Sequence, residues 1–216
     1  MSLSSSPKFQ LWRQNLLRHG LEINKIEEVF TRYKSDGDLL FGLVLLDATT
    51  PEGDKIPPVC FIKGLIVSVL VCLIDEKTGE KYALLVRQRR ICNGDFVYET
   101  VAGMVDGDDD PHTVAVKETA EETGLVVHPS QVILLNEEPH YVSTGTSDEA
   151  MFFYYCELEM SREKIFSYHN QQQGLISEHE RIITEVVPLM QGLHLIRNVN
   201  GLLNIHLYLQ QKGVKP

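Results

Sequence analysis

The chain predicts an α/β fold, and three observations carry that reading. A β-branched run, Ile66-Val-Ser-Val-Leu-Val-Cys-Leu-Ile74, has the length and composition of a buried strand. A helix-patterned stretch beginning at Pro111 and closing at Gly124 stands between apolar strand candidates. A second helical stretch ends the chain inside Gly192 to Gln211. Strands on both sides of a central helix, with a terminal helix, suit an α/β/α sandwich around a mixed sheet.

Residues 8 to 18 read as an amphipathic helix with Phe9, Leu11, Trp12, Leu16 and Leu17 apolar. Val29 to Tyr33 and Leu39 to Asp47 read as strands, and Thr50 to Pro58 as a Pro/Gly/Asp loop. Residues 1 to 60 are therefore expected to form a small α+β appendage, with residues 61 to 216 as the main domain. Asp75 to Glu80, containing Gly79, reads as a hairpin turn joining the 66–74 run to Tyr82 to Gln88. Phe96 to Val101 leads toward the central helix. Further strands are expected near Val132 to Leu135, over Ala150 to Leu158 and over Ile182 to Pro188. Glu163 to Gln173 reads as a polar, loosely helical loop.

The 216 residues can bury a sizeable core, and an apolar fraction of 43% is ordinary for a globular chain. Net charge is −10 and no basic tract appears, which argues against nucleic acid as a partner. The longest apolar run, Leu65 to Ile74, is too short to span a bilayer. No apolar segment follows the Ser-rich start, so a cytoplasmic protein is expected. Cys60, Cys72 and Cys156 sit in apolar runs and read as buried thiols; Cys92 does not, and no Cys-x-x-Cys occurs.

Chemistry concentrates between Gly103 and Leu125. At about 100° per residue, Glu118, Glu121 and Glu122 fall within one arc of a helix, with Val116, Thr119, Ala120 and Thr123 opposite. Like charges so spaced destabilise a helix, and a divalent cation would reverse the sign. Oxygen ligands in this number favour Mg²⁺ or Mn²⁺ over zinc. Asp110 is placed as the helix N-cap and Gly124 as its terminator.

The full spacing resembles the Nudix box, Gly-x5-Glu-x7-Arg-Glu-U-x-Glu-Glu-x-Gly-U, with U a bulky aliphatic. Six of nine defining positions match: Gly103, Glu118, Glu121, Glu122, Gly124 and Leu125. Asp109 replaces Glu, Lys117 replaces Arg, and Thr119 replaces the aliphatic. The Asp109/Lys117 substitutions keep the charges of a supporting pair and lose the planar guanidinium fork. Flanking stretches narrow the likeness: Gln88-Arg89-Arg90, Tyr98 to Met104, Ser143 to Glu149 and Gly174 to Ile182. Pro58 to Gly64 and Phe9 to Arg13 extend it. Together they look like the ADP-ribose and ADP-sugar diphosphatase branch of the Nudix hydrolases, plant-type members included.

The resemblance implies roles. Glu118 and Glu122 would be principal metal ligands, supported by Glu121 and by the carbonyl of Ala102 or Gly103. The general base would be Glu178, with Glu180 as runner-up. Arg90 is the first choice for a phosphate contact, with Arg89 and Arg87 as alternatives. Strand alternation puts Arg87 and Arg89 on one face and Arg90 on the other. Glu99 and Glu149 are candidate substrate contacts, and His140 and Tyr141 could stack on a base. Trp12 reads as core. The family's amino-terminal segment contributes to a dimer, so a homodimer is expected. The implied activity is Mg²⁺-dependent hydrolysis of nucleoside diphosphate sugars, ADP-ribose or ADP-glucose giving AMP and a sugar phosphate. The departures at Asp109, Lys117 and Thr119 motivate a rival, a non-catalytic module that binds a nucleotide sugar.

Overall fold

The structure is a computed structural model that describes residues 2–107, 109–174 and 181–214. Five α-helices are described: α1 (Pro7–Arg18), α2 (Pro111–Thr123), α3 (Arg162–Ser167), α4 (Leu189–Leu195) and α5 (Val199–Gln211). The strands are β1 (Glu22–Tyr33), β2 (Leu39–Thr49), β3 (Val59–Ile62), β4 (Leu65–Asp75), β5 (Lys81–Arg89), β6 (Phe96–Glu99), β7 (Val101–Met104), β8 (Ile133–Leu134), β9 (His140–Tyr141), β10 (Ala150–Met160), β11 (Gln172–Gln173) and β12 (Ile182–Pro188). The chain divides into two compact units. One comprises Met1–Ile66, Met104–Asp110 and Pro139–Met151; the other comprises Val67–Gly103, Pro111–Glu138 and Phe152–Pro216.

The first unit is a three-stranded antiparallel sheet, β1-β2-β3, carrying α1. Alternation along β2 turns Val44, Leu46 and Ala48 inward, where they cluster with Phe9 and Trp12 of α1. Trp12 is core, as expected, with its ring centroid 5.6 Å from that of Phe9. Leu11 and Leu17 are exposed, because the buried side of α1 is instead Lys8, Phe9 and Trp12. Lys8 is tolerated inside because its ammonium meets Asp106 at 2.6 Å and the Leu39 carbonyl at 3.0 Å. Burial would raise the Asp106 carboxyl, but hydrogen bonds from Lys34 and Lys8 outweigh it and lower its pKa. β1 starts at Glu22, well before the expected Val29; pairing from Glu22↔Thr49 to Tyr33↔Leu39 extends it although its own pattern is polar. The 143–149 loop is latched to β3: Phe61 N–H donates to the Thr146 carbonyl at 2.7 Å. Asp148 Oδ1 accepts from the Lys63 and Gly64 amides at 2.6 and 3.1 Å.

The second unit is built on a longer sheet, ordered β11-β12-β5-β4-β10-β8, with β6 beside β5 and β7 beside β4. The 66–74 run forms β4, and its hairpin to β5 pairs Val71↔Leu84 through Ile74↔Lys81. β4 is buried on both faces, which explains a near-continuous apolar sequence rather than an alternating one. Leu70, Cys72, Ala83 and Leu85 pack against Leu189 of α4 and Ile205, Tyr208 and Leu209 of α5. Val67, Val69, Val71 and Leu84 fill the opposite face with almost no exposure, and α2 lies along β5, β11 and β12. The fold is mixed α/β, as the sequence predicts. No helix of the described residues is long and apolar enough to cross a membrane.

Candidate functional site

The site is assembled from α2 and the strand that precedes it. β7 ends in Ala102-Gly103-Met104, and α2 begins at Pro111, where a first-turn proline costs no hydrogen bond. Val114, Ala115, Thr119 and Thr123 are buried, while Val116 and Ala120 are only half-buried. Thr119 and Thr123 turn their hydroxyls back onto the Ala115 and Thr119 carbonyls, at 2.7 and 2.5 Å. A threonine at the box's aliphatic position is therefore buried without losing a hydrogen bond. Gly124 closes the helix at φ +69°, and a Cβ there would stand 2.8 Å from Gln173 Nε2.

This placement rotates Glu122 onto the buried side, with 3% of its surface exposed, rather than along an open acidic arc. Its Oε2 accepts from the Ala102 amide at 3.1 Å. Glu118 lies directly on Gly103: a Cβ at that position would stand 2.3 Å from the Glu118 carboxyl carbon and oxygen. Only glycine leaves room for that approach. Glu118 and Glu122, one turn apart, thus both reach the backbone of residues 102–103. Glu121 stands 3.6 Å from Lys117 on the same helix.

The donor set suits a hard divalent ion: two carboxylates and a strand-end backbone gathered where a side chain is excluded. Among the described residues, no group of three His, Cys, Asp or Glu side chains is close enough to grip a metal without further ligands. Ala102 and Gly103 carbonyls, and substrate oxygens, are ligands of the kind that would complete such a shell.

The three arginines separate as strand alternation predicts. Arg87 and Arg89 both lie over the Phe96 ring, at 5.3 and 4.5 Å. Arg89 also donates to the Gly94 carbonyl at 2.5 Å, and Arg87 stands 3.4 Å from Glu185. Arg90, on the other face, donates its Nε to Glu99 Oε2 at 2.7 Å. The other oxygen of Glu99 accepts from Asn198 Nδ2 at 2.8 Å. Beside it, Asn204 and Thr100 both bond the buried Ser68 hydroxyl, each at 2.8 Å. Sequence reasoning missed Asn198. Its one local signal is that of a helix cap, and its partner lies 99 residues away.

The remaining candidates belong elsewhere or lie beyond the description. Glu149, in the first unit, meets Lys63 at 3.1 Å. His140 and Tyr141 form β9 and are exposed. Glu178 and Glu180 lie outside the described residues. Cys72 and Cys156 are buried, Cys60 is partly so, and burial pushes their thiols up to about 11, 12 and 12. Cys92 is exposed.

Comparison with known proteins places the chain in a family. Residues 64–188 match the NUDIX domain family model. "Nudix hydrolase 14, chloroplastic" of Arabidopsis thaliana is 30% identical over 183 residues, covering 81% of this chain and 58% of that protein. The chain thus spans a little over half the length of this curated relative. A crystal structure of an ADP compounds hydrolase superposes with a TM-score of 0.58 at 16% identity, covering 89% of this chain and 96% of the other, a likeness of fold. With the box register intact and a family match across more than half of its length, the chain belongs to the Nudix family.

Proposed function

We propose that the protein hydrolyses the diphosphate linkage of nucleoside diphosphate sugars, ADP-ribose or ADP-glucose first among them. The observation that carries this reading is the convergence of Glu118 and Glu122 on the Ala102–Gly103 backbone. The name of the ADP compounds hydrolase supports the same substrate class; that of the Arabidopsis relative supports a Nudix hydrolase.

Glu118 and Glu122 are the proposed ligands of Mg²⁺, or of Mn²⁺, with Glu121 and the Ala102 carbonyl in support. A bound divalent ion would neutralise the diphosphate and make an attacking water more acidic. Arg90 is the proposed phosphate contact, since its guanidinium offers further donors beyond the Nε spent on Glu99. Arg89, Glu99 and Glu149 are further proposed substrate contacts. Glu178 is the proposed base that takes the proton from water, with Glu180 as the alternative. Water adds across the P–O–P bridge, and the products are AMP and ribose 5-phosphate or glucose 1-phosphate.

We also propose a homodimer through the 1–60 segment. On the outer face of its sheet, Phe41 stacks 6.1 Å from the half-exposed Phe30 and 5.2 Å from Phe61. Such a patch is costly in water and suits a self-complementary interface. Light scattering on Phe30→Asp should show the mass halved; an unchanged dimer would move the interface elsewhere. The proposed compartment is the cytoplasm; the Arabidopsis relative is described as chloroplastic, and imaging a fluorescent fusion distinguishes the two.

The test is phosphate release from a panel of nucleotide sugars, with a phosphatase as coupling enzyme, in Mg²⁺ and in EDTA. Metal-dependent release from ADP-sugars is expected. Binding of ADP-ribose without release from any member would establish the non-catalytic reading. That rival draws on the altered Asp109 and Lys117 positions and on Lys117 pairing within its own helix.

A further inference from the structure

We infer that Asn198 is a positioning residue, which sets the Arg90 guanidinium through Glu99 and so tunes diphosphate binding. The inference rests on the proposed role of Arg90 as a phosphate contact.

Asn198 is the N-cap of α5, and its side chain bonds in two directions at once. Oδ1 accepts from the Gly201 amide at 3.1 Å, which fixes the side chain against the helix start. The approach is close enough that a Cβ at Gly201 would stand 2.7 Å from Oδ1. With Oδ1 so committed, the amide nitrogen is aimed outward, and it donates to Glu99 Oε1 at 2.8 Å. Glu99 is 9% exposed, so an oxygen left without a donor there would carry a desolvation cost. Its second oxygen takes Arg90 Nε at 2.7 Å. Asn198 therefore holds one oxygen and leaves the other for arginine, which fixes the carboxylate's rotation. Among the described residues, the two terminal nitrogens of Arg90 have no protein partner, while the side chain is 40% exposed. An arginine docked through Nε presents those nitrogens as a planar pair, a geometry that fits two oxygens of a diphosphate.

A cap alone would need only the acceptor, since Asp serves an N-cap as well as Asn does. The chemistry of Asn198 is more demanding: one acceptor for the helix and one donor for Glu99. Asp in its place would keep the first bond and turn the second into a repulsion between carboxylates.

The experiment compares the full chain with Asn198→Asp, Asn198→Ala and the double variant Asn198→Asp/Glu99→Gln. The readouts are KM and kcat for ADP-ribose, the Kd of ADP-ribose in EDTA, and the melting temperature. Asn198→Asp should keep the cap yet melt below the parent, because two carboxylates then face each other at a buried position, and the double variant should restore the melting temperature. Its KM and Kd should rise about tenfold, the scale of one charge-assisted hydrogen bond, with kcat much less affected. The double variant reverses the bond: the new side-chain amide at position 99 donates to the new carboxylate at position 198, and its amide oxygen still accepts from Arg90. It should recover most of the lost affinity. Asn198→Ala should lose both melting temperature and affinity. Parental KM and Kd in Asn198→Asp would reduce Asn198 to a helix cap and overturn the inference, as would a double variant that recovers nothing. A parent that neither binds nor hydrolyses ADP-ribose would overturn the proposed function itself, and the inference with it.

Discussion

Two groups of carboxylates in the second unit meet opposite surroundings. Glu157 is wrapped by donors: Lys81 at 2.8 Å, Tyr208 at 2.6 Å and Lys212 at 2.6 Å. Burial would raise its carboxyl, but hydrogen bonds from Lys212, Lys81 and Tyr208 outweigh it and hold the pKa at about 2. On α2, three carboxylates are carried within two turns, and two of them are pressed onto a strand end whose glycine clears space for them. The first arrangement lowers the energy of the charged acid in the folded chain. The second brings like charges together, which a folded chain would not favour for stability alone. The same residue type thus serves stability in one place and marks the candidate site in the other.

The largest expected separation is between Glu122→Gln and Glu157→Gln. A glutamine at 122 can still accept from the Ala102 amide, so the fold should keep its melting temperature. Turnover should fall more than about 100-fold, beyond what outer-shell changes around a metal cost. Glu157→Gln should leave turnover within a factor of two. If the two variants lose activity equally, the distinction fails.

Gly103→Ala is the next test. The added methyl displaces the flexible end of Glu118 rather than backbone, so the stability cost should be about 1–2 kcal/mol. Activity should fall much further than that cost implies, measured as kcat/KM beside an unfolding curve.

Acid separates the groups more gently. The folded pKa of Glu157 lies below its ordinary 4.5, so its contribution is present above that value and is lost as pH falls from about 4.5 toward 2. Urea midpoints should show the parent more stable than Glu157→Gln by about 2 kcal/mol at pH 7, the shift being partly offset by solvent screening at this incompletely buried site, and the gap should shrink toward zero near pH 2. A gap that persists at pH 2 would assign its origin to packing instead.

The smallest effects concern the arginines. Arg90→Ala should raise KM more than Arg89→Ala, because Arg89 is already engaged with the Gly94 carbonyl and the Phe96 ring. Equal effects would mean that the strand face does not sort them.

Periodicity was enough to read β4, β5 and β12, because buried strands and their turns write apolar runs and glycine punctuation locally. The start of β1 was not legible: its residues are polar and outward, and its pairing with β2 is a tertiary fact. The box register named Glu118, Glu121 and Glu122, yet helix geometry alone set them on one open arc. Glu122 is buried because Thr119 and Thr123 satisfy their own hydroxyls and let that face turn inward. Alternation along β5 placed Arg87 and Arg89 opposite Arg90. Asn198 was out of reach, since nothing in a linear chain pairs it with Glu99.

The measurement closest to the central contrast is a Mn²⁺ titration followed by electron paramagnetic resonance, on the parent, Glu122→Gln and Glu157→Gln, without substrate. The parent and Glu157→Gln should bind the ion with the same affinity, while Glu122→Gln binds it far more weakly. Parental Mn²⁺ binding in Glu122→Gln would contradict the assignment of the α2 carboxylates to a metal.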